Sequence, residues 1–535
     1  MKRTTFSSVM QGMCCGFTAL LFAASCANDN VTQDEKQNKD NIPAGATLFT
    51  GTSQPETTTR TAILNHTKSA GASVNWSSTD KIWVKDDGGN WQQSTTTIIP
   101  SAANPSYAKF ALSGSYTGAS HDILYTNMAV TGTQPKVVIK AAQTQSAPNN
   151  FDHAGVSGDC GIATGSKSGS GYTFNLNHKA SYLCFIPRTN NEYVKRSKLI
   201  KVEITSDDYI AGTYDIATDG SLTLASFGSK KITVYTGSGF DIDNTADDMS
   251  KNATYAVVAP GTHTFRIRYW LRNTSDNPKG PIEGTVSKIV TLNCTAGSIH
   301  DITANLNPRD YDGDHYCMWD AQEQFWKGYE WTKKLPAGVG QPTLNYNPPI
   351  ATASSNYPKN NADPRWYHEG GGAFQATQSC ATLPNANELS WYIVYGNPHW
   401  DTDELWTTMG HLYQGGMWFK KKSVLQAEHH YDTEKSADGS TDLRTTWKYY
   451  YNNDIPNSGL SFVADPGNYF YLPALGAYYR LNTGRLDEVE NYGYYWSSSA
   501  YPWDGYDAYS MGFYNRFIGE GHGHRPIGNR GDWPE

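Results

Sequence analysis

Thr264-Phe265-Arg266-Ile267-Arg268-Tyr269-Trp270 alternates bulky apolar with charged side chains, the period of a β-strand with one face buried. Phe265, Ile267 and Tyr269 would enter a core and leave Arg266 and Arg268 to water. The same texture recurs in Lys81-Ile82-Trp83-Val84-Lys85, Leu199-Ile200-Lys201-Val202-Glu203-Ile204 and Lys231-Ile232-Thr233-Val234-Tyr235. Turns rich in Gly, Ser, Asn and Asp separate these runs, and no long run carries a 3.6-residue apolar period. Residues 46–306 are therefore predicted to be all-β, most economically two β-sandwich lobes over 46–195 and 196–306.

The composition changes near residue 307. Twelve of the sixteen tryptophans lie from Trp319 onward, and Asn307-Pro308-Arg309-Asp310 is the natural joint. Residues 307–535 are rich in Trp, Tyr, Gly and Asn, and helical patterns are few. One helix is predicted over 387–395, with Asn385 or Asn387 near its N-cap and Leu389, Trp391, Tyr392 and Tyr395 as its buried stripe. A second, short helix is predicted over 402–409.

The N-terminus supplies an address. Lys2 and Arg3 precede an apolar stretch too short to span a bilayer, which ends in Phe22-Ala23-Ala24-Ser25-Cys26. Small residues directly before a cysteine mark 1–25 as a lipoprotein signal peptide, with Cys26 as the acylated residue. Residues 26–45 are too polar to bury a core and read as a flexible tether. The net charge of -8 is mild, and no basic stripe suggests nucleic acid. Cys160, Cys184, Cys294, Cys317 and Cys380 stand at long spacings without a C-x-x-C, so no pairing follows from them.

Several motifs stand in a telling order: Thr59-Arg60-Thr61, Val74-Asn75-Trp76, Asp80-Lys81-Ile82-Trp83-Val84, Phe174-Asn175-Leu176-Asn177-His178-Lys179-Ala180, Ala256-Val257-Val258-Ala259-Pro260-Gly261 and Ser298-Ile299-His300-Asp301-Ile302-Thr303-Ala304-Asn305-Leu306. Together they resemble the fimbrillin family of surface lipoproteins, pilus subunits built of two β-sandwich domains. The resemblance implies protease processing after an arginine early in the first domain, for which Arg60 is the positional candidate. It also implies partners among fimbrial subunits, joined by strand exchange at an opened sheet edge.

Ala381-Thr382-Leu383-Pro384-Asn385-Ala386-Asn387-Glu388-Leu389, Phe470-Tyr471-Leu472-Pro473-Ala474-Leu475-Gly476 and Gly493-Tyr494-Tyr495-Trp496-Ser497-Ser498-Ser499-Ala500-Tyr501 resemble bacterial C-type-lectin-like domains related to retroelement-diversified variable regions. The fold class implied is multi-domain, with two all-β lobes followed by a mixed α+β lectin-like domain at 307–535. Alternation between Ala508 and Tyr514 turns Met511 and Phe513 inward and Ser510, Gly512 and Tyr514 outward. The ligand-binding candidates are Tyr501, Trp503, Asp504, Tyr506, Asp507, Tyr509, Ser510, Tyr514, Asn515, Phe517, Glu520, His522 and His524. Tyr and Trp give large contact area for few frozen torsions, and Ser, Asn and Gly adapt polar contacts. Trp496 and Ser497 to Ser499 read as scaffold. The family's closing Gly-aromatic-Ser-Val-Arg strand is replaced by Gly528-Asn529-Arg530-Gly531-Asp532, so the closing strand is expected to be missing or altered.

Catalytic patterns are not evident. Asp310-Tyr311-Asp312-Gly313-Asp314 starts like a calcium loop, but its twelfth position is Ala321 instead of a bidentate Glu; a calcium site completed by distant ligands stays open. His522-Gly523-His524 lacks an identifiable third ligand, and His429-His430 is a weaker pair still. Asp401, Asp403 and Glu404 read as helix surface, not as a hydrolytic pair. No cofactor and no enzymatic activity are expected. The expected protein is a cell-surface adhesin, of pilus-tip type, binding an extracellular glycan or surface protein. It would sit at the outer membrane or the fimbrium tip and touch the membrane only through its lipid. The alternatives are an anchored polysaccharide-binding lipoprotein outside any pilus and a glycan-active enzyme.

Overall fold

The computed structural model describes residues 42–52, 62–64, 66–69, 73–102, 106–328, 330, 356–366, 375–460, 466–478 and 486–535. The signal peptide, Cys26, Arg60 and most of the tether lie outside them. Strands dominate throughout, in several sheets. Among the described residues no helix is long and apolar enough to cross a membrane.

The first lobe is a nine-stranded sheet in which Thr47–Thr52 lies between Gly171–Asn175, its parallel partner, and Ala108–Leu112, its antiparallel partner. Its core gathers Phe49, Trp76, Val84, Phe110, Ile123 and Tyr172. Phe49 stacks on Tyr172 with ring centroids 4.7 Å apart and meets Tyr116 edge-on at 5.1 Å.

The second lobe is interleaved with the first, so the boundary expected at 195/196 does not divide them. Lys136–Ile139 pairs with Ala211–Ile216, and Ala142–Thr144 with Lys231–Asp241. The chain then returns to the first lobe at Gly161–Asn175 before Ser181–Arg188 joins Thr254–Val258 and Ile299–Asn305. A cut at 195 would strip Ser181–Arg188, buried along nearly its whole length, from both of its partners. Periodicity identifies strands but carries no information about which strands pair.

Most buried apolar residues change cluster near residue 307. One apolar cluster runs to Leu306 and takes in Leu405 and Leu412 from beyond it, and a second begins at Tyr311. The two bodies nonetheless share a sheet: Ile282–Cys294 touches His399–Thr408 in parallel at Thr285 and Glu404. A Cβ on Gly284 would stand 2.6 Å from the Asp403 carbonyl oxygen, so a glycine is required for this approach.

Two corrections follow from that seam. The stretch predicted as a helix over 402–409 is the strand His399–Thr408, paired with His411–Lys420. The register slips between Asp401 and Leu405, so residues 402–404 bulge opposite Gly415 and turn their carboxylates toward the second lobe. Arg266 and Arg268, expected in water, are buried against that bulge. Arg268 lies 3.3 Å from both Asp401 and Asp403, and Arg266 reaches Asp401 at 3.4 Å and the Leu460 carbonyl at 2.6 Å.

The helix expected over 387–395 is Ala386–Tyr395, with Asn385 and Glu388 forming a capping box. Leu389, Trp391 and Tyr392 are buried, and Tyr395 is half-buried beneath the His430 ring, whose centroid lies 4.0 Å away. The closing strand is present though short. Asn529–Arg530 pairs with Tyr316–Cys317 and runs beside Tyr495. Arg530 is fully buried, ion-paired with Asp532 at 2.7 Å and set over the Tyr316 ring at 5.0 Å.

Candidate functional site

The C-terminal sheet runs, by strand, Tyr316–Cys317, Asn529–Arg530, Tyr492–Ala500, Asp507–Tyr514, Phe517–His524, Tyr451–Asn452. Its register sorts the expected ligand residues onto two faces. Met511 and Phe513 are fully buried as expected. Asp507, Tyr509 and Glu520 share their face, while Ser510, Gly512 and Tyr514 share the other with Gly521, Gly519 and Phe517.

That second face carries a shallow trough. Tyr494, Gly512, Gly519 and Tyr451 lie side by side across four strands, beside the row Tyr492, Tyr514, Phe517. The rings form a continuous run. Tyr494 stacks on Tyr492 at 5.7 Å, Tyr492 meets Tyr514 at 4.7 Å, and Tyr514 stacks on Phe517 at 4.8 Å. Tyr449 and Tyr451 stack at 5.4 Å on the far side. The floor is glycine. A Cβ on Gly521 would meet nothing within 4 Å, and one on Gly512 would meet only Tyr494, at 3.8 Å. Gly519 is the notch between the walls, since its Cβ would stand 2.8 Å from Phe517 and 3.0 Å from the Tyr449 hydroxyl.

Most of the other expected residues gather at one end of the sheet, while Asn515 lies in the turn at the opposite end, between Tyr514 and Phe517. Tyr501 stacks on His522 at 4.0 Å and meets Trp503 at 5.2 Å. Asp507 is buried; Nδ1 of His522 is hydrogen-bonded to it at 2.5 Å, and Nδ1 of His524 stands 2.8 Å from its other oxygen. Trp503, Asp504, Tyr506, Asn515, His522 and His524 are exposed, and Tyr501, Tyr514 and Phe517 are half-buried. Beneath this loop Arg525 is fully buried, its guanidinium 4.5 Å from the Trp319 ring centroid and 5.0 Å from that of Trp366. Burial holds Arg525 down to about 10. The Arg525 backbone amide donates to the Tyr506 carbonyl, and Trp366 meets Tyr506 edge-on at 4.9 Å. The loop at 501–506 is thus seated on a built support.

Four expected contact residues are inside the protein instead. Asp507 is held by the two histidines. Tyr509 is 3% exposed and donates its hydroxyl to the Leu443 carbonyl. Ser510 is buried beside Trp496 and Gly521. Glu520 is 2% exposed, and neither carboxylate oxygen has a hydrogen-bond partner among the described residues. Asp507, Tyr509 and Glu520 lie on the inward face with Met511 and Phe513, and Ser510 alone is a position that alternation turns outward. Trp447, Tyr449 and Tyr451 escaped the sequence reading because they precede and open a two-residue strand. Their own alternation was the available signal.

Glu520 yields a prediction. Burial raises its carboxyl well above the ordinary value, so the folded chain keeps a proton that the unfolded chain loses above roughly pH 4.3. The contribution of this group to stability is full below that pH and is lost as pH rises toward the folded-state value. Glu520→Gln should therefore melt higher than the native chain at pH 7.5, with the difference vanishing near pH 4. Equal melting temperatures at both pH values would show that the carboxylate is solvated.

The calcium-like run at 310–314 uses its carboxylates locally. Asp310 accepts from the Thr407 hydroxyl at 2.6 Å, and Asp312 accepts from the Asp314 amide at 2.8 Å and takes His315 Nδ1 at 2.8 Å.

The class defined by this geometry is a β-rich chain of two interleaved lobes with an aromatic-faced C-terminal body. No protein-family model matches the sequence, and no curated protein matches it. Solved structures do show similarity. Two are described as putative cell adhesion proteins, from Bacteroides ovatus ATCC 8483 and Bacteroides uniformis ATCC 8492. They are 13% and 16% identical, with TM-scores of 0.27 and 0.28, and cover 48% and 49% of this chain and 91% and 94% of their own. A fimbrial protein from Bacteroides ovatus ATCC 8483 is 11% identical, with a TM-score of 0.23, covering 90% of this chain and 96% of its own. Likeness at this level assigns no function to the chain.

Proposed function

We propose that this chain is a cell-surface adhesin of the fimbrial-tip kind, lipid-anchored through Cys26, whose C-terminal body binds a glycan or a surface protein across the trough at Gly512, Gly519 and Gly521. The observation that carries this reading is the glycine floor, open at Gly512 and Gly521, between walls of tyrosine and phenylalanine. A contiguous run of half-buried rings, with the exposed Tyr449 and Tyr451 on the far side, offers a ligand contact area with little entropy to lose.

The assembly half of the proposal draws support from the first lobe. Thr47–Thr52 precedes Arg60 and lies between two strands, with Phe49 in the core. Cleavage after Arg60 would release that strand and leave an apolar slot flanked by unpaired backbone groups, which a strand of another subunit could fill.

Two measurements test the reading. The whole chain is applied to a mixed array of glycans and surface proteins, and saturable binding to one class is expected. The protein recovered from the cell surface is sequenced from its N-terminus. A start at Thr61 supports assembly, and a blocked start at Cys26 with no shorter form rules assembly out. A folded chain that binds nothing on the array overturns the adhesin reading.

A further inference from the structure

Cys184 occupies the middle of Ser181–Arg188. Its register partners are Tyr255 on one neighbouring strand and Asp301 on the other, so the three stand abreast on the sheet. His66 arrives from a separate segment and completes the group. Its Nε2 lies 2.8 Å from Oδ1 of Asp301, and its ring meets Tyr255 edge-on at 6.0 Å. The Ser69 amide donates to Oδ2 of Asp301 at 2.8 Å, and the Tyr255 hydroxyl donates to Asn149 at 2.5 Å. His66 and Cys184 are buried. One ligand atom from each of His66, Cys184 and Asp301 lies within 4.8 Å of the other two.

We propose that His66, Cys184 and Asp301 bind a divalent transition metal of the zinc class, clasping residues 66–69 to the second lobe. An imidazole nitrogen, a thiolate and a carboxylate together suit a borderline-soft cation that accepts few ligands, and disfavour calcium or magnesium, which take oxygen alone. Three protein ligands leave a further position for solvent. The outer shell is already built: the Ser69 amide fixes the carboxylate, and Tyr255, itself held by Asn149, stands beside the sulfur. On binding, the thiol gives up its proton to solvent as the metal–sulfur bond forms, and His66 coordinates as the neutral imidazole.

The clasp has a structural consequence independent of the ligand trough. Residue 66 stands shortly after Arg60 in the chain, and the metal would bind this segment to two strands more than a hundred residues away. The segment would then stay on the second lobe whatever happens to the chain before it.

The test is titration of the purified, reduced chain with cobalt(II), read by the sulfur-to-cobalt charge-transfer band, followed by displacement with zinc. One equivalent should bind, zinc should abolish the band, and zinc should raise the melting temperature. Cys184→Ala should lose the band although Cys160, Cys294, Cys317 and Cys380 remain. His66→Gln should weaken affinity by about tenfold or more. No band in the native chain overturns the site, as does a band that survives Cys184→Ala. Unchanged affinity in a folded His66→Gln variant does the same.

Discussion

Asp401→Ala is expected to cost about 3–5 kcal/mol of stability, among the larger losses any single substitution in this chain should produce. Asp401 is 1% exposed and faces both Arg266 and Arg268, while also accepting from Nε1 of Trp418 at 3.2 Å. Burial lowers Arg266; for Arg268 burial opposes, but the charges of Asp401 and Glu404 prevail and raise it. Removing the shared carboxylate leaves two guanidinium groups in a water-poor seam. Arg266 would keep the Leu460 carbonyl, and Arg268 would keep Asp403 and Glu203. Urea denaturation should show a lower midpoint. The C-terminal body should also separate from the second lobe as an earlier transition, because this cluster lies where the two cores meet. Replacing Arg266, Arg268 and Asp401 together by Met, Leu and Leu should recover only part of the loss, because Asp403, Glu203 and Glu404 would lose the Arg268 charge that faces them. A loss under about 1 kcal/mol in the single variant would mean that water reaches the seam.

The same arginines show what the sequence could and could not reveal. The alternation at 264–270 placed Phe265, Ile267 and Tyr269 in a core correctly, because that half of the pattern depends only on the strand itself. The fate of Arg266 and Arg268 depended on Asp401 and Asp403, well over a hundred residues later, and no local pattern announces such a partner. The misread helix over 402–409 has the same origin. Its acidic residues look like a solvated helical face until the bulge turns them onto the arginines, and strand pairing with His411–Lys420 overrides local propensity. The interleaving of the lobes was illegible for a related reason: pairing of Ala142–Thr144 with Lys231–Asp241 is a contact at long range.

At the candidate site the boundary between legible and illegible is finer. Alternation correctly turned Met511 and Phe513 inward and Gly512 and Tyr514 outward. It misplaced Ser510, which alternation turns outward but which is buried beside Trp496, whereas Tyr509 lies on the inward face with Met511 and gives its hydroxyl to the Leu443 carbonyl. Reading strands one at a time also hid the trough. Its floor comes from Gly512, Gly519 and Gly521 on two strands, and its walls from Tyr494, Phe517, Tyr449 and Tyr451 on three. Glycines that weaken a strand viewed alone become a ligand-sized opening only when the register lines them up.

Those glycines allow a test that aromatic deletions do not. Truncating a tyrosine removes packing along with any ligand contact, so lost binding and lost folding are entangled. Gly512→Val adds atoms to the trough instead. The nearest neighbour of the new Cβ is Tyr494 at 3.8 Å, an ordinary contact distance, and Gly512 has no positive φ that would strain a side chain. A β-branched residue also suits a strand better than glycine, so the melting temperature should hold or rise. If the ligand lies across the floor, two methyl groups at its centre should weaken binding by about 10- to 100-fold, or roughly 1.4–2.7 kcal/mol. The comparison is Trp503→Ala with Tyr506→Ala, on the exposed loop over Arg525, where loss of two rim contacts should change affinity by about threefold or less. Should Gly512→Val bind as the native chain does while the Trp503/Tyr506 pair loses its ligand, the trough is bare scaffold and the adhesive surface is the loop seated on Trp366.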